Sequence, residues 1–398
     1  TLTMPALTKF VDGTGPVWSG NLFPFLFITI ACGAVSGFHA LISSGTTPKM
    51  LANESQACFI GYGGMLMESF VAIMALVAAC IIDPGVYFAM NSPMAVLAPA
   101  GTTDVVASAA QVVSGWGFSI TPDTLHQIAS EVGEQSIISR AGGAPTLAVG
   151  MAYILHGSLG GLMDVSFWYH FAILFEALFI LTAVDAGTRA ARFMLQDLLG
   201  VISPGLKKTS SLPANLLATA LCVLAWGYFL HQGVVDPLGG INTLWPLFGI
   251  ANQMLAGMAL MLCAVVLFKM KRQRYAWVAL LPTSWLLICT LTAGWQKSFS
   301  PDTKVGFLAI ANKFQAMIDS GNIPPQYTES QLAQLVFNNR LDAGLTIFFM
   351  IVVVVLALFS IKTALAALKE DKPTAKETPY EPMPENLDAI ETQAKGAH

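Results

Sequence analysis

Charged residues are scarce in this sequence. Asp, Glu, Lys and Arg make up 11% of 398 residues while hydrophobic residues make up 55%, and mean hydropathy is +0.63. Soluble domains carry about 25% charge, so the composition excludes a water-soluble fold and implies an integral membrane protein. A basic excess is also missing. The net charge is −4, which leaves nothing to neutralise a phosphate backbone, and no nucleic-acid partner is expected. Cysteine offers no framework either. Cys32, Cys58, Cys80, Cys222, Cys263 and Cys289 all fall in apolar segments without C-x-x-C spacing, and such thiols act as small hydrophobes rather than as disulfides or metal ligands. No H-E-x-x-H occurs, and Gly157-Ser-Leu-Gly160 is not a nucleophile elbow, which disfavours a membrane enzyme. No cofactor is called for. The chain begins with Thr1 and shows no charged n-region ahead of an apolar h-region, so no signal peptide is expected. We read it as the C-terminal part of a longer protein, cut between two spans.

What the sequence does have is long apolar runs. A bilayer span needs about 20 mainly apolar residues. Seven segments qualify: roughly 21–43, 57–82, 167–184, 212–234, 243–268, 275–295 and 343–365. An eighth, 145–163, is short and carries Gly150, Gly157, Gly160, Gly161 and His156; it reads equally as a span, a re-entrant hairpin or a tightly packed helix. The basic cluster Lys269-Met-Lys-Arg-Gln-Arg274, with Arg189, Arg192, Lys207, Lys208, Lys362 and Lys369, marks the cytoplasmic side and puts the C-terminus inside. Residues 83–144 carry one basic residue, Arg140, against five acidic ones, and are expected as an external loop. That placement requires 145–163 not to cross fully. Residues 298–341 are expected as a second external loop, with an amphipathic helix near 305–318 and turns at Pro324-Pro325 and Asn338-Asn339. Residues 1–368 then form the transmembrane region, and 369–398, rich in Pro, Glu, Thr and Lys, form a disordered cytoplasmic tail.

The informative stretch is Gly37-Phe-His-Ala-Leu-Ile-Ser-Ser-Gly-Thr-Thr-Pro-Lys49, which interrupts the first apolar run. Backbone loosened by Gly and Pro at membrane depth is tolerated only where it lines a cavity or is buried in protein, and secondary transporters hold substrates at such breaks. Ser43, Ser44, Gly45, Thr46 and Thr47 therefore read as substrate contacts. His39 is either a packed histidine or a proton relay, since an imidazole titrates near neutral pH; its polar neighbours favour the relay. Glu68 lies near the middle of its span, where a carboxylate is a functional hypothesis by default. Glu176 is similarly deep, but His170, Trp168 and Thr182 would equally give it a structural network. Asp185 and Arg189 fit an i,i+4 salt bridge. A second interruption, Trp245-Pro-Leu-Phe-Gly-Ile-Ala-Asn-Gln253, carries Asn252 and Gln253, which either glue helices or line a pathway. The run Met254–Met261 reads as packing.

Ser36–Lys49, Ile60-Gly-Tyr-Gly-Gly-Met-Leu-Met-Glu68 and Trp245–Gln253 resemble the carbon starvation protein A (CstA) family along the whole chain. The resemblance implies an all-α polytopic bundle of the amino acid–polyamine–organocation type, with inverted, LeuT-like repeats and broken helices. It also implies inner-membrane uptake of peptides or pyruvate by proton symport during carbon starvation, with His39 to Pro48 as the broken first helix of the second repeat. The partners expected are then a small-molecule substrate, protons, the lipid bilayer and a missing N-terminal half of the same protein. A membrane nutrient sensor is the alternative class, disfavoured by a short tail with no signalling domain.

Overall fold

The long apolar runs fold as helices, because a helix satisfies its own backbone where no water can. The computed structural model describes residues 2–17, 20–51, 53–99, 101–235, 240–324 and 327–376. Among them no strand occurs. The helices in chain order are α1 (Leu22–Ile30), α2 (Gly37–Gly45), α3 (Thr47–Met50), α4 (Gln56–Ile81), α5 (Pro84–Asn91), α6 (Met94–Leu97), α7 (Val105–Gly115), α8 (Pro122–Val132), α9 (Gly143–Ser158), α10 (Val165–Ile202), α11 (Leu212–Val235), α12 (Gly240–Lys269), α13 (Trp277–Phe299), α14 (Phe307–Asp319) and α15 (Glu329–Lys369). Six are long and apolar enough to cross a membrane: α4, α10, α11, α12 from Leu244, α13 and α15.

These six correspond to six of the seven expected spans. The seventh, 21–43, is divided into α1, a short 3-10 turn and α2. The eighth candidate folds as α9, whose 16 residues reach about 24 Å, short of a bilayer core of about 30 Å. Two helices overrun their expected limits. α10 has 38 residues and α15 has 41, so Asn338 and Asn339, expected in a turn, are buried within α15.

The chain divides into two compact units. The first comprises Thr1–Leu22, Glu68–Ala183 and Met317–Ser330. Residues 83–144, expected as a loop, here make a helical core. Its helix starts are written in the sequence. Asp83 Oδ1 accepts from Gly85 N at 2.8 Å with Pro84 in the first turn, and Thr121 caps α8 ahead of Pro122; each satisfies amides that a helix start leaves open. Gly133, at φ 77°, ends α8 in the left-handed conformation. Val86, Met90, Leu97, Val113, Leu125, Val132, Ile137 and Val149 close the core, and Phe88 stacks on Phe118 at 4.5 Å. Asn91 donates to Thr146 Oγ1 at 3.0 Å, tying α5 to α9. A Cβ on Gly150 would meet Ala78 O at 2.1 Å, so α9 crosses α4 at backbone contact there.

Tyr153 O–H donates to Glu131 Oε2 at 2.6 Å. Burial first, then that bond and the carboxylate's charge, push the phenol's pKa up. A raised folded-state pKa means that the bond's stabilisation is complete below about pH 10 and is lost as pH climbs through the folded value. Tyr153→Phe should therefore cost about 1 kcal/mol at neutral pH, and the cost should shrink in strongly alkaline solution. Thermal unfolding across pH, with tyrosinate absorbance followed in parallel, checks both.

The second unit comprises Phe23–Met67, Val184–Ala316 and Gln331–His398. α12 is its centre: 50% of its apolar window is buried, against 11% for α11 and for α15. It packs against α2, α11 and α13. Within α14, Phe307, Ala311 and Phe314 are the buried residues, one face at i, i+4, i+7, as the amphipathic pattern predicts. Lys369 is helical, and the next residues fold back on the end of α12. Thr374 N donates to Lys269 O at 3.0 Å, and Lys271 Nζ reaches Ala367 O at 2.6 Å and also Glu370 O. The expected disordered tail thus begins with an attached segment; residues 377–398 lie outside the described residues.

Candidate functional site

The interruption in the first apolar run lies between α1 and α2, at residues 31–36, about two turns before Ser43 and more than three before Pro48. Ser36 starts α2 as its N-cap, its Oγ accepting from His39 N at 3.1 Å. Pro48 breaks nothing, because it sits in the first turn of α3, where no helical N–H is required of it. The loosened backbone at 35–38 is held by α12. Asn252 Oδ1 accepts from Phe38 N at 2.9 Å, and its Nδ2 donates to Val35 O at 3.3 Å. One buried amide thus serves an orphan donor and an orphan acceptor on either side of the break. Gln253 Nε2 donates to Phe27 O at 2.6 Å, and Trp245 Nε1 to Thr29 O at 3.3 Å. The two interruptions noted separately in the sequence are therefore one assembly.

Glycine permits it. A Cβ on Gly37 would lie 2.1 Å from Asn252 O, and one on Gly249 would lie 2.4 Å from Ile28 O. α12 itself runs on through Pro246 without a break, and Met254 and Met261 are buried as packing residues.

The hydroxyl cluster expected to contact substrate makes local bonds. Ser43 and Ser44 donate to Ala40 O at 3.0 and 2.9 Å, and Thr46 and Thr47 to Ile42 O at 3.1 and 3.2 Å. All four bend back onto α2, a local alternative open to Ser and Thr. Gly45 packs toward Ala190, where a Cβ would stand 3.3 Å from the methyl. Lys49 Nζ lies 3.6 Å above the Phe193 ring, so α2 and α3 rest on the later half of α10. Asn252 meets the start of α2 and Gln253 the backbone of α1.

His39 is exposed, and its Nδ1 faces Ser36 Oγ. Glu68, on α4, is exposed and belongs to the first unit, as does half-buried Glu176 on α10. Gly61, Gly63 and Gly64 face open space. Arg189 donates to Asp185 Oδ2 at 2.8 Å across one helical turn, as expected. Among the described residues no group of three or more His, Cys, Asp or Glu could hold a metal, and all six cysteines are free.

Two residues escaped the sequence reading. Lys297 and Asp342 are buried at 6% and 3% exposure. Each stands at the edge of an apolar run, between the expected span and the expected loop 298–341. The signal that was present is their flanks: Trp295 and Phe299 around the lysine, Leu341 and Ala343 around the aspartate.

Six helices of spanning length, with an apolar helix interrupted and re-tied by side-chain amides, define a multi-pass helical membrane protein. Residues 1–293 match the family described as Carbon starvation protein CstA, and the chain belongs to that family. It is 94% identical over 398 residues to the Peptide transporter CstA of Escherichia coli K12, covering 100% of this chain and 57% of that protein. It is 58% identical over 402 residues to the Pyruvate/proton symporter BtsT of the same organism, covering 96% and 56%. To the Peptide transporter CstA of Mycobacterium tuberculosis H37Rv it is 50% identical over 385 residues, covering 93% and 50%. The chain thus spans about half the length of these relatives. No solved structure matches.

Proposed function

We propose that this chain forms part of an inner-membrane secondary transporter that takes up peptides or small carboxylates such as pyruvate together with protons, by alternating access. The observation that carries this is the interrupted helix α1–α2. Its free backbone is held by Asn252, which is costly to maintain in a membrane unless the break is used. Relatives named as a peptide transporter and as a pyruvate/proton symporter support the substrate class. In this reading the arrangement is of the amino acid–polyamine–organocation type, and the C-terminus is cytoplasmic, on the side marked by Lys269 to Arg274.

The region Ser43–Thr47 forms one wall of the substrate path, while Asn252 and Gln253 fix the break. His39, Glu68 and Glu176 are the first candidates for handling protons. Their exposed or half-exposed positions suit groups that exchange protons with a pathway.

The test is uptake of labelled pyruvate and of a labelled dipeptide into vesicles containing the full-length protein, with and without an imposed pH gradient. Accumulation that needs the gradient and falls at least about tenfold (roughly 1.4 kcal/mol) in Glu68→Gln or His39→Ala supports symport. Binding without accumulation would point to a sensor instead.

A further inference from the structure

The later half of α10 holds two cations against one aromatic ring. Lys49 Nζ lies 3.6 Å from the Phe193 ring centroid, and Arg192 Cζ lies 4.8 Å from the same point. All three residues belong to the second unit. The positive groups are therefore no more than about 8 Å apart, so that one anion making charged hydrogen bonds of about 2.8 Å can touch both.

Like charges this close repel, and the chain supplies nothing to offset them. Among the described residues neither Lys49 nor Arg192 has an ion pair or a side-chain hydrogen bond. The acids closest in sequence are placed elsewhere. Asp185 is engaged by Arg189 at 2.8 Å, while Glu54 and Asp197 are exposed. Lys49 is exposed, but Arg192 is half-buried, and its Nε is closed to water without a partner. A guanidinium partly withdrawn from water is costly until an anion completes it. Two unserved cations on one ring call for an acceptor from outside the chain.

The depth of the pair says which acceptor. Gln196, one turn beyond Arg192, donates through Nε2 to Asn215 Oδ1 at 2.7 Å. Asn215 stands in the first turn of α11, a helix of spanning length that starts at Leu212. The level of Gln196 is thus where a span begins. α11 runs back along α10 from there, since the charge of Arg192 reaches Cys222 further along it. Arg192, four residues before Gln196, therefore lies about 6 Å inside the start of the span. Toward the membrane centre, Leu216 and Leu217 on α11 are exposed apolar residues. Away from it stand Lys207 and Lys208, and a Cβ on Gly200 would meet Lys207 Cβ at 2.7 Å, so this basic loop folds against α10. Apolar surface on one side and basic surface on the other mark the level of lipid headgroups.

We propose that Lys49, Arg192 and the Phe193 ring form a binding site for the phosphate of a net-anionic phospholipid. The phosphate oxygens accept from the ammonium and from the outer N–H groups of the guanidinium, and the ring forms the floor. Basic groups between spans hold anionic headgroups in this way. A zwitterionic lipid brings a cation of its own, which the pair repels, so a headgroup with net negative charge is selected. Bound there, the lipid bridges α3 to α10 and braces the segment that follows the interrupted helix. The site does not depend on what the protein transports.

The test is retention of radiolabelled lipid by the full-length protein, purified from vesicles of equal parts phosphatidylcholine and phosphatidylglycerol. The unmodified protein should keep phosphatidylglycerol in preference to phosphatidylcholine. Lys49→Gln and Arg192→Gln should each lower that preference about fivefold, and the double variant should abolish it. Lys49→Gln, at an exposed position, covers the case in which Arg192→Gln fails to fold. Lys304→Gln/Lys313→Gln removes two exposed cations of the same unit and should leave the preference as it was. No preference in the unmodified protein, or an unchanged preference in Lys49→Gln/Arg192→Gln, overturns the proposal. So does an equal loss in Lys304→Gln/Lys313→Gln, because net charge alone would then draw the lipid. Excess inorganic phosphate or pyruvate should not release the retained lipid. Release by either overturns the lipid assignment and gives the pair to a free anion or to a substrate carboxylate.

Discussion

Asn252→Leu should abolish uptake and lower the unfolding temperature more than a substitution at any other polar residue of α12. The side chain is 5% exposed and bonds both Phe38 N and Val35 O. Leucine fills similar space but leaves a part-buried donor and a part-buried acceptor unserved, each costing up to about 1–3 kcal/mol. The sum, up to about 2–6 kcal/mol by that figure, is a large part of the 5–15 kcal/mol typical of a domain. Asn252→Asp separates the two bonds, since it keeps the acceptor for Phe38 N and loses the donor to Val35 O. It should fall between the parent and the leucine variant. Thermal unfolding in detergent, with uptake measured beside it, checks the order. Equal stability of parent and leucine variant would mean that other groups hold the break.

Gly37→Val should be still more damaging. Its Cβ would be placed 2.1 Å from Asn252 O, 2.6 Å from Leu255 Cβ and 2.8 Å from Ala256 N. Two of these three are backbone atoms of α12, so no rotamer change relieves them, and the helices must separate. Overpacking of this kind costs typically 1–3 kcal/mol where side chains can yield, and more is expected where they cannot. Separation would also pull Phe38 N away from Asn252. Gly257→Val is the control: its Cβ would meet nothing nearer than Leu286 Cβ at 3.9 Å. The expected result is loss of folded protein for Gly37→Val on size-exclusion in detergent, and near-parent yield for Gly257→Val.

Much of this was legible in the sequence, residue by residue. Apolar length located six spans, whereas the helix starts at Asp83-Pro84 and Thr121-Pro122, whose capping residues stand in the sequence, went unread inside the expected loop. Both segments of the candidate site stood out as interruptions. Their mutual contact did not, because residues 27–38 and 245–253 carry no local mark of being partners. The break itself was misplaced, toward Gly45 and Pro48, since those are the strong punctuators. Cys32-Gly-Ala-Val-Ser36 looks like continuous apolar helix, and only the amide on α12 makes an opening there tolerable. Pro48 misled because proline breaks a helix interior but suits a first turn. Residues 83–144 read as a loop because hydropathy averages out over short amphipathic helices, whose apolar positions alternate with polar ones. Lys297 and Asp342 were lost at window edges, where a charge normally signals the end of a span.

The attachment after α15 has a practical meaning for where this protein can be cut or extended. Thr374 N and Ala375 N both reach Lys269 O, and Lys271 binds Ala367 O and Glu370 O. The chain between Lys369 and Ala375 thus acts as a clasp across the turn from α12 to α13. A truncation or fusion junction set directly after Leu368, where hydropathy falls away, would cut the clasp, leaving the carbonyl of Lys269 to water and Lys271 with Ala367 O alone. A junction set after Ala375 would leave it whole.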